Sequence, residues 1–139
     1  MSLTVHQDVR AAIRQILTGL SGIPSEFAWE GEKFTPTTGT AFLQEQLRPI
    51  SSKGRGIGNG GLIEHIMTSN LVLFYPTGKG TLAIENAAAA LMSSFARSTN
   101  LTYGTTSCRV MDAERAPLVQ EPDWISCPVI VTINAFTAD

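Results

Sequence analysis

Gly56-Ile57-Gly58-Asn59-Gly60-Gly61 has the spacing G-x-G-x-x-G. In a dinucleotide site such glycines make a tight turn, and the backbone amides of the helix that follows receive the pyrophosphate. Here the chain continues into Leu62-Ile63-Glu64-His65-Ile66-Met67-Thr68, which leads into a strand. The strand-turn-helix context is missing, so we expect a loop that holds no nucleotide cofactor. Gly78-Lys79-Gly80-Thr81 opens a helix and presents amides to an anion. It lacks the spacing of a phosphate loop and reads as a helix entry with a solvated lysine.

The nucleophiles fare no better. Cys108 and Cys127 need a histidine and an orienting group to act, and His6 and His65 stand far from both in sequence. The same four residues lack the spacing of metal ligands, so no metal is expected. Asp112 and Glu114 alternate beside Arg109 and Arg115, a solvated or interfacial charge group more than a tuned acid–base pair. No catalytic residue emerges, and the expectation is a protein that is not an enzyme.

The chain that positions these residues has 139 of them, one domain's worth. Apolar residues make up 43% and charged ones only 16%, below the charge content of an average domain. That excludes intrinsic disorder and suggests a surface partly covered by neighbouring subunits. Ten basic residues oppose twelve acidic ones, for a net charge of −2. The basic residues are scattered, so sequence-specific or backbone-driven nucleic acid binding is not expected. The apolar run Asn86 to Ala96 is half a bilayer span, so no membrane partner is expected. Met1 to Asp8 has no cationic start or cleavage site. With two cysteines read as reduced, this predicts a chain made and kept in a cytoplasm.

Val9, Ile13, Ile16, Leu17 and Leu20 recur at helical spacing, with Thr4 and Gln7 as a capping box and Gly19, Gly22 and Pro24 as the stop. Phe27 to Trp29 reads as a short strand, and Phe34 to Gly39 as an extended linker. Thr40 to Ile50 reads as a half-buried strand closed by Pro49. Ser51 to Gly61 holds five glycines in eleven residues, and predicts a flexible loop at 51–61. Leu62 to Tyr75 predicts a central strand apolar on both faces. Ile84, Ala88, Leu91 and Phe95 give a second helix, capped by Thr81 and ending near Ser98 to Asn100. Thr105 to Val110, an irregular stretch over Met111 to Pro117, Leu118 to Gln120, and Trp124 to Phe136 complete the chain. The predicted class is α+β, a mostly antiparallel sheet with two helices packed on it in the order helix, strands, helix, strands.

The aromatic residues Trp29, Phe34, Phe42, Phe74, Phe95 and Trp124 read as core. Trp29 and Trp124, near strand ends, are also candidate interface anchors, and the Phe34-Thr35-Pro36 segment is a candidate contact through edge pairing or packing.

Three segments together resemble a known phage family. The first is Trp29-Glu30-Gly31-Glu32-Lys33-Phe34-Thr35-Pro36 with Gly39 to Leu43 and Leu47-Arg48-Pro49. The second is Leu73-Phe74-Tyr75-Pro76-Thr77-Gly78-Lys79-Gly80 running into an alanine-rich helix that ends at Phe95. The third is Trp124 followed by Pro128-Val129-Ile130-Val131. The chain is similar, over nearly its whole length, to the small tail-terminator-like proteins of long-tailed phages and prophages. The resemblance implies a structural virion protein at the head-proximal end of the tail. It implies a homo-hexameric ring that caps the tail tube protein, stops elongation and presents a surface to the head–tail connector protein. It implies interface roles for Lys53 and Arg55, and offers no catalytic residue to transfer. Two other readings remain open here. One is another neck or tail ring component, such as a head-completion or tube protein. The other is a small-ligand-binding or enzymatic α+β domain that uses the Gly56 to Gly61 loop as a lid.

Overall fold

The computed structural model describes residues 4–55, 62–104 and 106–138. The glycine motif at 56–61 lies outside the described residues. Helix α1, Val5–Gly19, is followed by strands β1 (Glu26–Trp29), β2 (Phe42–Arg55) and β3 (Leu62–Pro76). Helix α2, Leu82–Ser94, leads to β4 (Asn100–Tyr103), β5 (Thr106–Arg115), β6 (Val119–Gln120) and β7 (Trp124–Ala138). The strands form one sheet in the order β1-β2-β3-β7-β5-β4, with β6 pairing β7 off that path.

The order of helices and strands is as expected, but the α+β class is not. The chain is mostly sheet, 49% strand against 22% helix, curled into a half-barrel of six strands that carries the two helices. The cause lies in strand length. β2, β3 and β7 run 14, 15 and 15 residues, far beyond the usual five or six, and long strands accumulate twist. Two register shifts, at Pro49/Ser51 in β2 and at Val110/Asp112 in β5, bend the sheet further.

Those bulges explain the misplaced strand ends. β2 runs through Pro49 instead of closing there, because β1 pairs only Phe42 to Glu45 and leaves the outer side of β2 open at the proline. Ser51 to Arg55, expected within a flexible loop, pair with Ile66 to Leu62. The stretch expected to be irregular after Val110 is the second half of β5. The pairing of β1 with β2 is parallel.

The core lies between the helices and one face of the sheet. Met67, Leu71 and Leu73 of β3 and Cys127, Val129, Val131 and Ile133 of β7 meet Val9, Ile13 and Leu17 of α1 and Ile84, Ala88 and Leu91 of α2. Ala87 and Ala88 are fully buried, as small side chains that let α2 lie close. The expectation that β3 is apolar and covered on both faces is corrected. Its burial alternates, with Val72 and Phe74 only half-buried on the far side. Neither helix uses a side-chain cap: Thr4 donates instead to the Asp8 carboxylate at 3.3 Å, which also accepts from Thr106 at 2.6 Å.

Candidate functional site

Glu45 stands in the inward row of β2 between Leu43 and Leu47, and it is 1% exposed. A carboxylate there needs cations, and α1 supplies two. Arg14 reaches it at 3.0 Å through Nε and 2.8 Å through Nη2, and Arg10 at 3.2 Å. Arg10 also donates to Glu30 at 2.6 Å. Glu30 accepts from the Leu47 backbone N–H at 3.0 Å; that bond first, and the Arg10 guanidinium next, hold its carboxyl below the usual range. The Arg14 guanidinium covers the Trp29 ring at 4.8 Å from its centroid, and Trp29 stacks on Phe27 at 4.5 Å. Trp29 is therefore half-buried inside this network, which clamps α1 to the β1–β2 edge.

Phe34 and Trp124, distant in sequence, meet on a third ring. Phe42 lies 5.1 Å from Phe34, 4.7 Å from Phe74 in a stack and 5.2 Å from Trp124 edge-on. Trp29, Phe34, Phe42 and Phe74 line an open cavity of about 390 Å³ along the β1–β2 edge, which also takes in Glu30 and Glu45. A second, of about 490 Å³, spreads over Gln46, Arg48, Thr68, Asn70 and Ile130. This face of the sheet is a half-exposed floor of amides, hydroxyls and branched aliphatics, which suits contact with another surface more than enclosure of a small molecule.

The charges of β5 do not act as one group. Arg115 forks onto Glu85 of α2 at 2.5 and 2.6 Å, whereas Asp112 and Glu114 are exposed on the opposite face. Lys53 is exposed on β2 opposite Glu64, and Arg55 stands in register with Leu62 at the end of that strand.

The cysteines sit under the helices. Cys108 and Cys127 are buried, and burial pushes the Cys108 thiol up to about 11, the wrong direction for a nucleophile. The two histidines, far apart in sequence, do come together. Their rings lie 5.7 Å apart and edge-on, with His65 held by Ser52 at 2.7 Å and Thr137 at 2.9 Å. Among the described residues, no three His, Cys, Asp or Glu side chains gather as a metal ligand set.

Residues 8–133 match the family model described as "Phage tail terminator protein". No curated protein matches the chain. One solved structure shares the fold at a TM-score of 0.68, with 22% identity over 97% of this chain and 96% of its own. Another is a chain from the virion of a native gene transfer agent particle, at a TM-score of 0.57 and 16% identity over 98% of this chain and 100% of its own. At these identities the likeness is one of fold.

Proposed function

The chain belongs to the phage tail terminator family, and on that premise we propose that it caps the head-proximal end of a tail tube as a homo-hexameric ring. Membership makes it a structural protein of the phage tail, at home in the virion. In the proposed role the ring stops tube elongation, rests on the tail tube protein and offers its other side to the head–tail connector protein. The single observation that carries the reading is the family match, which runs through every strand from β1 to β5 and most of β7. The half-barrel shared with a gene transfer agent virion chain supports it at the level of fold.

A ring of identical copies needs two different faces that complement each other. The half-exposed rings of Trp29, Phe34 and Trp124 and the basic Lys53 and Arg55 are the proposed contact residues, toward neighbouring copies or the tube. The experiment is genetic. Phage lacking this protein should build tails of uncontrolled length that fail to join heads. Tails of normal length that join normally would reject the terminator role and favour another neck or tail component.

A further inference from the structure

The sheet has two open rims, on opposite sides. On one, β1 pairs only Phe42 to Glu45, so β2 from Gln46 to Arg55 has no strand neighbour on its outer side among the described residues. On the other, β4 pairs only Thr106 to Arg109, so β5 from Met111 to Arg115 is open, and β6 continues that rim along β7. From Gln46 to Arg55 the β2 strand carries Arg48, Lys53 and Arg55 and no acidic residue of its own, with Glu30 capping the Leu47 N–H at its start. The β5–β6 rim and the turn after it carry Asp112, Glu114, Glu121 and Asp123, all exposed. The arginines of β5 do not offset them. Arg115 is taken by Glu85, and Arg109 lies where β4 covers the edge.

Each rim also exposes apolar side chains that the monomer does not use. Ile50 is 57% exposed on the first; Met111 is 37% and Val119 49% exposed on the second. Opposite charge beside matched apolar residues, on opposite edges of one molecule, is what a head-to-tail contact requires. Building on the ring reading, we infer that the β2 rim of one copy docks on the β5–β6 rim of a second copy.

The contact is made by side chains and is not a continued β-ladder. Pro49 has no N–H to donate. The Leu47 N–H is already bonded to Glu30, and the Ala113 N–H to its neighbour Asp112 at 2.9 Å. Both edges also carry a bulge. Proline, bulges and charges are the devices that stop open-ended strand addition, and they leave the outward side chains free to choose a partner by charge. The same features keep free copies from stacking into ladders while the ring is unformed.

Zero-length carbodiimide cross-linking tests this on purified virions and on the purified protein, using mixed light and heavy isotope copies to identify links between copies. Lys53 is one of three lysines, with Lys33 and Lys79. Within one chain its rim lies three strand spacings from β5, about 14 Å, too far for a zero-length bond. Links between copies should join Lys53 to Asp112, Glu114, Glu121 or Asp123. In parallel, Arg48→Glu with Lys53→Glu should weaken ring formation by about tenfold or more. Adding Asp112→Lys and Glu114→Lys to the same chain should restore it. Rings of normal mass whose Lys53 links fall elsewhere, or whose assembly ignores the reversals, overturn the docking. Absence of any ring in virions overturns the ring reading itself, a separable outcome.

Discussion

Arg14→Met should destabilise the protein more than Glu45→Gln, although both remove the same ion pair. Glu45 is 1% exposed, whereas the Arg14 and Arg10 side chains keep 25% and 19% of their surface. Removing Arg14 leaves a carboxylate inside the molecule with Arg10 alone, at 3.2 Å. Stripping one partner from a buried pair costs about 3–5 kcal/mol. The lost ring contact with Trp29 adds about 0.5–1 kcal/mol. Neutralising Glu45 instead leaves two part-exposed arginines with other partners, Glu30 at 2.6 Å for Arg10 and Glu32 at 3.6 Å for Arg14. Its cost is then nearer about 2 kcal/mol, for a buried amide that pairs poorly with guanidinium. For a chain of this size roughly 4 °C of melting temperature corresponds to each kcal/mol. The expected drops are about 14–24 °C and about 8 °C.

Urea unfolding at pH 7, followed by tryptophan fluorescence, gives both free energies and their coupling when Arg14→Met and Glu45→Gln are combined. The double variant should lose less than the sum of the two singles, since the second change removes a group already stranded by the first. Equal losses, or a larger one for Glu45→Gln, would refute the idea that the buried carboxylate is the costly partner. Additive losses would show that the pair does not act as a unit.

Two further outcomes follow from the same structure. Burial, and then the nearby His6 imidazole, hold His65 below its ordinary 6.5, so the unfolded chain takes up a proton first. The stability this contributes is complete above 6.5 and is lost as pH falls through the lowered folded value. Urea midpoints should therefore fall between pH 7 and pH 5, less so in His65→Asn; an equal fall in both would remove His65 as the cause. Deleting Met111, the extra residue at the β5 bulge, should join Val110 and Asp112 in one regular ladder with their present partners, leave Asp112 and Glu114 outward, and so preserve folding with a modest loss of stability. An unfolded deletion variant by circular dichroism would show that the bend itself, and not only the register, is required.

The helices were legible because their apolar stripes are local. Ile13 and Leu17, or Ile84 and Leu91, reveal their burial by spacing alone. Strand centres were legible too, in Leu71 to Leu73 and Val129 to Ile133. Strand ends were not, because whether Pro49 closes a strand depends on whether another strand lies outside it, and β1 stops too early to do so. The parallel pairing of β1 and the short β4 had no local signal. The charge network was missed for a different reason. Arg10 and Arg14 fall on the polar faces of α1, where spacing along the helix carries no sign of a buried partner. The available clue was Glu45, which shares the inward parity of Leu43 and Leu47. An acid in an apolar row demands a cation from elsewhere in the fold. The meeting of Phe34 with Trp124 across Phe42 required the sheet order, which spacing does not encode.

The two bulges connect these facts, because side-chain direction alternates along a strand and one extra residue reverses it. On β5 the buried positions before the bulge are Thr106, Cys108 and Val110; after it the inward register passes to Ala113 and Arg115. Were the alternation to run on unbroken from Val110, the inward positions would be Asp112 and Glu114, two carboxylates beneath the helices. With the bulge, both point outward, and Arg115 turns in to meet Glu85. On β2 the shift after Pro49 brings Ser52 beside His65 and sends Lys53 to the outer face. Both rim strands therefore use the same irregularity twice over. It curls the sheet, and it moves charges that a regular strand would bury to the outer surface, acidic on one edge and basic on the other.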